Sequence, residues 1–271
     1  MSDNRPIGVF DSGLGGLTVV RELLRMMPEE KIVYFGDTGR VPYGMRSRDT
    51  IIQYARQDEQ FLLHQDVKLI IAACGTVSSV AACTGADLPV PFIEVVSPAV
   101  QAAVEQTRNK RVGVIGTSAT IRSEAYAKKL RALDREVEVF STDCPIFVPL
   151  VEAGWISPGD SVTIETVRRY LTPIRETGVD TLILGCTHYP VLEPFIADFM
   201  GEQVTLINTG YTAAMAAKRF LEQNGMQAAH GEAAHSEYFV SDRIEAFSGI
   251  AGILLGRDIG HDVHQIDITK Y

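Results

Sequence analysis

Cysteine is scarce in this sequence, and the little there is does not pair. Four cysteines in 271 residues, Cys74, Cys83, Cys144 and Cys186, stand far apart with no C-x-x-C spacing, which argues against both a disulfide framework and a zinc ribbon. Long apolar runs are missing too; the longest, around Leu69 to Cys74, is far too short to span a bilayer. MSDNRPIGVF at the start lacks the basic stretch and apolar segment of a secretory leader. Basic excess is absent: 25 Lys and Arg against 34 Asp and Glu leave a formal charge of −9, where a nucleic-acid binder would show a concentrated basic patch. These absences predict a cytoplasmic protein with free thiols, no membrane segment and no nucleic-acid partner. Any anionic ligand must be held by local donors and not by the overall field.

What is present is a 46 % hydrophobic chain, enough for a full core. Short β-branched runs alternate with segments of helical period, the pattern of an α/β fold with mainly parallel sheets. The expected strands are 7–10, 32–35, 69–73, 92–96, 112–115, 137–140, 181–184, 204–207 and 238–240. In LTVVRELLRMM, Leu17, Val20, Leu24 and Met27 share one helical face. In SDRIEAF, Ser241 and Asp242 are expected caps, with Glu245 at capping-box spacing after Asp242.

A weak repeat organises the chain. RPIGVFDSGLGG from Arg5 and KRVGVIGTSATI from Lys110 each place a basic residue before an x-G-V-x strand that ends in small or polar residues. Each is followed by an apolar run ending in a thiol: Cys74 in KLIIAACGTVSS, Cys186 in TLILGCTHYP. Two pseudo-symmetric α/β halves are the economical reading. Ligands of open parallel sheets sit beyond the carboxyl ends of the strands, and Asp11, Cys74, Thr117 and Cys186 all fall at that edge. If the halves face each other, one cleft receives a cysteine from each side.

Opposed thiols suit stereoinversion at a C–H centre, because a thiolate on one face can take the proton while a thiol on the other returns it. Asp11, at the end of its strand in the first half, and His188, two residues after Cys186, are the natural groups to tune them. A lone strand-end cysteine is more often a small apolar filler, and Cys83 and Cys144, without such neighbours, are assigned to packing. C-T-H could begin a zinc site, but no second close pair of ligands is visible, so no metal is expected. Gly13 to Gly16 could receive a phosphate or a carboxylate on backbone N–H groups; the third glycine of a dinucleotide fingerprint is missing. His64, His230, His235, His261 and His264 read as surface or terminal residues.

The ordered motifs GVFDSGLGGL, YFGDTGRVPYG, ACGTVSS, VGVIGTSATIRS, CPIFVPLVEAG and LGCTHYP make the chain, over about residues 5–255, resemble the glutamate racemases of the aspartate/glutamate racemase family. The resemblance implies two α/β domains, residues 1–97 with 208–271 and residues 98–207, with the active site in the cleft between them. It implies cofactor-independent interconversion of L- and D-glutamate for peptidoglycan synthesis, and a homodimer. Cys74 and Cys186 take the family's acid/base positions, Cys74 acting on the D-isomer and Cys186 on the L-isomer. Asp11, Glu152 and His188 match its auxiliary groups. Asp11, Ser12, Tyr43, Gly44, Gly75, Thr76, Thr117, Thr120, Thr187 and His188 match or extend its substrate-binding positions.

Two departures stand out. The family commonly has asparagine where this chain has Gly75, and aspartate–serine where it has Asn208 and Thr209; the first removes a side-chain amide beside the substrate, the second a charge near the domain junction. A racemase for aspartate or another acidic amino acid, a relative acting on cyclic hydantoin-type substrates, and a non-catalytic amino-acid sensor are the alternative readings.

Overall fold

The computed structural model of the chain describes residues 2–229, 235–256, 259 and 261–271; His230 lies outside them. Strands and helices alternate: β1 (Ile7–Asp11), α1 (Leu17–Met26), β2 (Ile32–Gly36), α2 (Arg48–His64), β3 (Leu69–Ala72), α3 (Gly75–Val80), β4 (Phe92–Glu94), α4 (Val96–Gln106), β5 (Arg111–Gly116), α5 (Ser118–Ser123), α6 (Ala125–Leu133), β6 (Glu138–Asp143), α7 (Phe147–Glu152), α8 (Ser161–Glu176), β7 (Thr181–Leu184), α9 (Glu193–Met200), β8 (Thr205–Asn208), α10 (Thr209–Asn224), β9 (Glu237–Val240), α11 (Ile244–Leu255) and β10 (Val263–Gln265). The strands pair in parallel throughout. They make a six-stranded sheet ordered β10-β9-β2-β1-β3-β4 and a four-stranded sheet ordered β6-β5-β7-β8.

The repeat in the sequence is a repeat of topology. The run β2-β1-β3-β4 in one sheet matches β6-β5-β7-β8 in the other, so the strands preceding Cys74 and Cys186 occupy equivalent places. β9 and β10 extend the first sheet beyond β2. Strands β1, β2, β3 and β7 are buried along their whole length, as expected where helices cover both faces of a parallel sheet.

The structure differs from the sequence reading at several ends. The fourth strand stops at Glu94 because the Glu94 carboxylate accepts from the Val96 and Ser97 N–H groups and so starts α4. β6 runs on through polar Ser141–Asp143 because it stays in register with β5 as far as Gly116; as an edge strand it need not be apolar. On α1, Val19 and Leu23 are buried as deeply as Leu17 and Val20, while Leu24 is half-buried, since both α10 and α11 pack against this helix. Ser241 and Asp242 do not cap α11: Arg243 occupies the cap position, and the Ser241 hydroxyl donates to Asp37 instead. Cys144 is buried as expected, but Cys83 is exposed, on a surface 3-10 turn whose buried side chain is Thr84. His64, His235, His261 and His264 are exposed.

One buried carboxylate fixes the entrance to the second sheet. Asp180, just before β7, accepts from the Thr107 hydroxyl (2.7 Å), the Arg108 and Asn109 N–H groups (2.7 Å each) and the Thr181 hydroxyl (2.9 Å). Burial works against its charge, yet these bonds outweigh burial and hold its carboxyl below the usual range. Asp180→Ala is therefore expected to lower unfolding stability at pH 7 by about 1–3 kcal/mol. Because the folded carboxyl is the stronger acid, its contribution is present above about pH 4 and lost as pH falls through the lowered value. Equal denaturant midpoints for wild type and variant at pH 7 would refute the anchor.

Candidate active site

The strand ends deliver the polar groups. β1 ends at Asp11, 1 % exposed, whose carboxylate accepts from the Gly13 N–H (3.0 Å) and from the Thr187 hydroxyl (3.4 Å) of the other half. Beyond β3, Cys74 sits at the cap of α3, and its thiol donates to Ser12 Oγ (3.4 Å). Beyond β7, the Cys186 sulfur lies 3.9 Å from His188 Nδ1, and His188 Nε2 lies 3.2 Å from Glu152 Oε1 at the end of α7. The Thr76 hydroxyl meets that of Thr117 (3.1 Å), which meets that of Thr120 (3.0 Å). Hydroxyls from both halves thus line one seam.

Glycines let the two halves touch. A Cβ on Gly75 would lie 2.4 Å from the Gly185 carbonyl oxygen, so the residue after one thiol rests on the residue before the other. A Cβ on Gly15 would meet Thr187 Oγ1 at 2.2 Å and His188 Nδ1 at 2.5 Å. Nearby, the Thr18 hydroxyl donates to the Thr187 carbonyl (2.9 Å). Sequence reasoning missed Thr18 and Gly185 and read Gly15 only as part of a backbone anion cradle; their roles come from what faces them across the seam and not from any local pattern.

The two thiols sit in opposite electrostatic surroundings. Burial, reinforced by the Asp11 charge and opposed by bonds from Ser12 and Val77, pushes the Cys74 thiol up to about 12. For His188, burial works to lower the pKa, but Cys186 and Glu152, with the Asp11 charge behind them, outweigh it and push the imidazole up to about 10. Asp11 is itself raised, by burial against the opposing His188 charge and backbone donors. The result is a cation beside the Cys186 sulfur and an anion near Cys74, and the anion together with burial holds Cys74 in its protonated form.

The other expected residues are distributed less evenly. Gly44 faces the site: a Cβ there would meet Thr117 and Thr76 at 3.4–3.8 Å. The Tyr43 side chain is buried, with its hydroxyl on Asp37 and Asp58. Asn208 caps α10, accepting from the Gly210 and Tyr211 N–H groups, so an uncharged residue still serves the helix. Thr209 donates to the Leu184 carbonyl at the end of β7. Among the described residues no group of three His, Cys, Asp or Glu side chains could hold a metal ion, and no helix is long and apolar enough to cross a membrane. A surface groove of about 950 Å³ lined by Arg21, Gln101 and Tyr211 contains neither thiol.

Fold and site together define a class: mainly parallel α/β proteins with two matched sheets and a thiol beyond the equivalent strand of each. Comparison with known proteins is specific. The chain belongs to the Asp/Glu/hydantoin racemase family, whose model matches residues 7–217. It is 43 % identical over 265 residues to the glutamate racemase of Geobacter metallireducens, covering 97 % of each chain, and 44 % identical over 255 residues to that of Syntrophus aciditrophicus, covering 94 % of each. The crystal structure of the Francisella tularensis glutamate racemase in complex with D-glutamate superposes with a TM-score of 0.91 at 35 % identity, covering 99 % of this chain and all of that one.

Proposed function

We propose that this protein racemises glutamate without a cofactor, by proton transfer between two cysteines, and that it supplies D-glutamate for peptidoglycan synthesis in the cytoplasm, working as a homodimer. The observation that carries the reading is the seam itself: Cys74 and Cys186 follow equivalent strands of two matched sheets, and their neighbours Gly75 and Gly185 are in van der Waals contact.

In the direction from L-glutamate, Cys186 as thiolate takes the α-proton, the electron pair passes toward the α-carboxylate, and the Cys74 thiol delivers its proton to the opposite face. Cys186 is then a thiol and Cys74 a thiolate, ready for the reverse turnover or for reset by exchange with solvent. Removing a proton beside a carboxylate builds a second negative charge, which hydroxyl and backbone donors must stabilise. Ser12, Thr76, Thr117, Thr120 and Thr187, the Gly44 and Gly75 backbone and His188 are the donors we assign to substrate. Asp11, Glu152 and His188 set the charge around the thiols.

The test is incubation of the reduced protein with L-glutamate in deuterated water, following optical rotation and the Cα–H signal by NMR. Loss of rotation with deuterium entering Cα is expected; unchanged rotation with full Cα–H would sink the reading. Gly75, which lacks a substrate-facing amide and draws the halves close together, favours one second reading, a shorter acidic substrate. Turnover of L-aspartate faster than L-glutamate would establish it.

A further inference from the structure

The buried side chain of Tyr43 points to a device behind the site. Between β2 and α2, Asp37 and Asp58 are fully buried, and so is Tyr43. Arg40 reaches both carboxylates, Nε to Asp37 Oδ2 at 2.5 Å and a terminal nitrogen to Asp58 Oδ1 at 3.0 Å, while its guanidinium lies 4.0 Å over the Tyr54 ring. The Tyr43 hydroxyl contacts Asp37 Oδ2 and, at 3.0 Å, Asp58 Oδ2. Asp37 also accepts from the Ser241 hydroxyl at 2.7 Å, and its own N–H donates to the Asp11 carbonyl at 3.0 Å.

Counting hydrogens constrains this cluster. The Tyr43 oxygen carries one hydrogen yet touches two carboxyl oxygens, so one contact needs a hydrogen on a carboxyl group. Asp37, which receives Arg40, Tyr43 and Ser241, is satisfied as an anion. Asp58 Oδ2 faces the Tyr43 hydroxyl, so Asp58 is the natural holder of the extra proton. One proton, one guanidinium and two carboxyl groups leave the buried cluster neutral, as burial demands.

We propose that Asp37, Arg40, Tyr43 and a protonated Asp58 form a clamp that holds the Gly44 backbone against Thr76 and Thr117 at the cleft. Tyr43 and Asp58 are then positioning residues for the reaction proposed above, on which this role rests. Asp58 is also held well above the usual carboxylate range, by burial first and then by the Asp37 charge, against Arg40 and Tyr43; Glu59 on the same helix adds to the upward push. The clamp therefore loosens as pH rises.

The experiment compares Tyr43→Phe, Asp58→Ala and Asp58→Asn with wild type. Readouts are KM and kcat for L-glutamate from neutral to alkaline pH, and amide hydrogen exchange of residues 37–47 without substrate. Tyr43→Phe and Asp58→Ala are expected to raise KM about tenfold, the size of one lost hydrogen bond, with kcat changed far less, and to speed exchange in that segment. Asp58→Asn, whose amide donates without an extra proton, recovers the KM of wild type and flattens the alkaline rise in KM that wild type shows. A KM for Asp58→Asn as high as for Asp58→Ala, or a segment that exchanges equally in all four proteins, overturns the clamp. If wild type leaves glutamate untouched, the functional reading falls, while the exchange comparison still decides the clamp.

Discussion

Replacing either thiol by serine is expected to abolish racemisation in both directions, with a fall of about 10³–10⁴-fold, at the upper end of what positioned acid/base groups contribute. An alcohol gives up its proton far less readily than a thiol, so a serine hydroxyl in place of either sulfur would neither donate to nor take from carbon at a useful rate. The two variants should fail differently. With Cys74→Ser, the proposed L-facing Cys186 can still remove the α-proton of L-glutamate, exchange it for a solvent deuteron and return that to the same face, so deuterium should enter L-glutamate without inversion. Cys186→Ser should show the mirror behaviour with D-glutamate. NMR of each enantiomer in deuterated water, with rotation followed in parallel, reads both effects. Wild-type rates in either variant would end the two-thiol mechanism, and exchange of the same enantiomer by both would end the assignment of faces.

The second large effect is expected at a residue with no side chain. A methyl group on Gly75 would lie 2.4 Å from the Gly185 oxygen, about 1 Å inside ordinary contact. Neither partner can yield by rotating a side chain, because the obstacle is backbone one residue before Cys186. The halves must part instead, and a displacement of about 1 Å in a catalytic pair costs on the order of 10²-fold. Gly75→Ala should therefore lose about 10²-fold in kcat/KM in both directions while its thermal unfolding stays close to wild type, since the strain is relieved at the seam and not in either core. Undiminished kcat/KM would show that the halves do not need this approach during turnover.

How much of this was legible beforehand follows from what each feature depends on. Strands such as 7–10 and 181–184 were readable because parallel strands buried on both faces are continuous apolar runs. β10 was not, because its three residues, Val263–Gln265, carry two exposed polar side chains and take their pairing from β9. The thiols were legible through the repeat, which local sequence preserves at both strand ends. Asp58 was hidden in ARQDEQ, a run that looks like a solvated helix face; it is buried only because the loop bearing Arg40 and Tyr43 folds over it. The same folding buries the Tyr43 side chain. Its motif announces a residue near the substrate without saying which part of it faces the cleft.

The unequal surroundings of the two sulfurs, a cation at Cys186 and an anion near Cys74, carry a constraint of another kind. The proposed substrate and product are mirror images with identical free energies in water, so their equilibrium constant is unity whatever the protein does. The Haldane relation then requires kcat/KM to be equal in the two directions. His188 and Asp11 can divide that shared ratio differently between turnover and saturation, making one enantiomer fast and weakly held and the other slow and tightly held. What they set is which enantiomer occupies the protein when both are abundant.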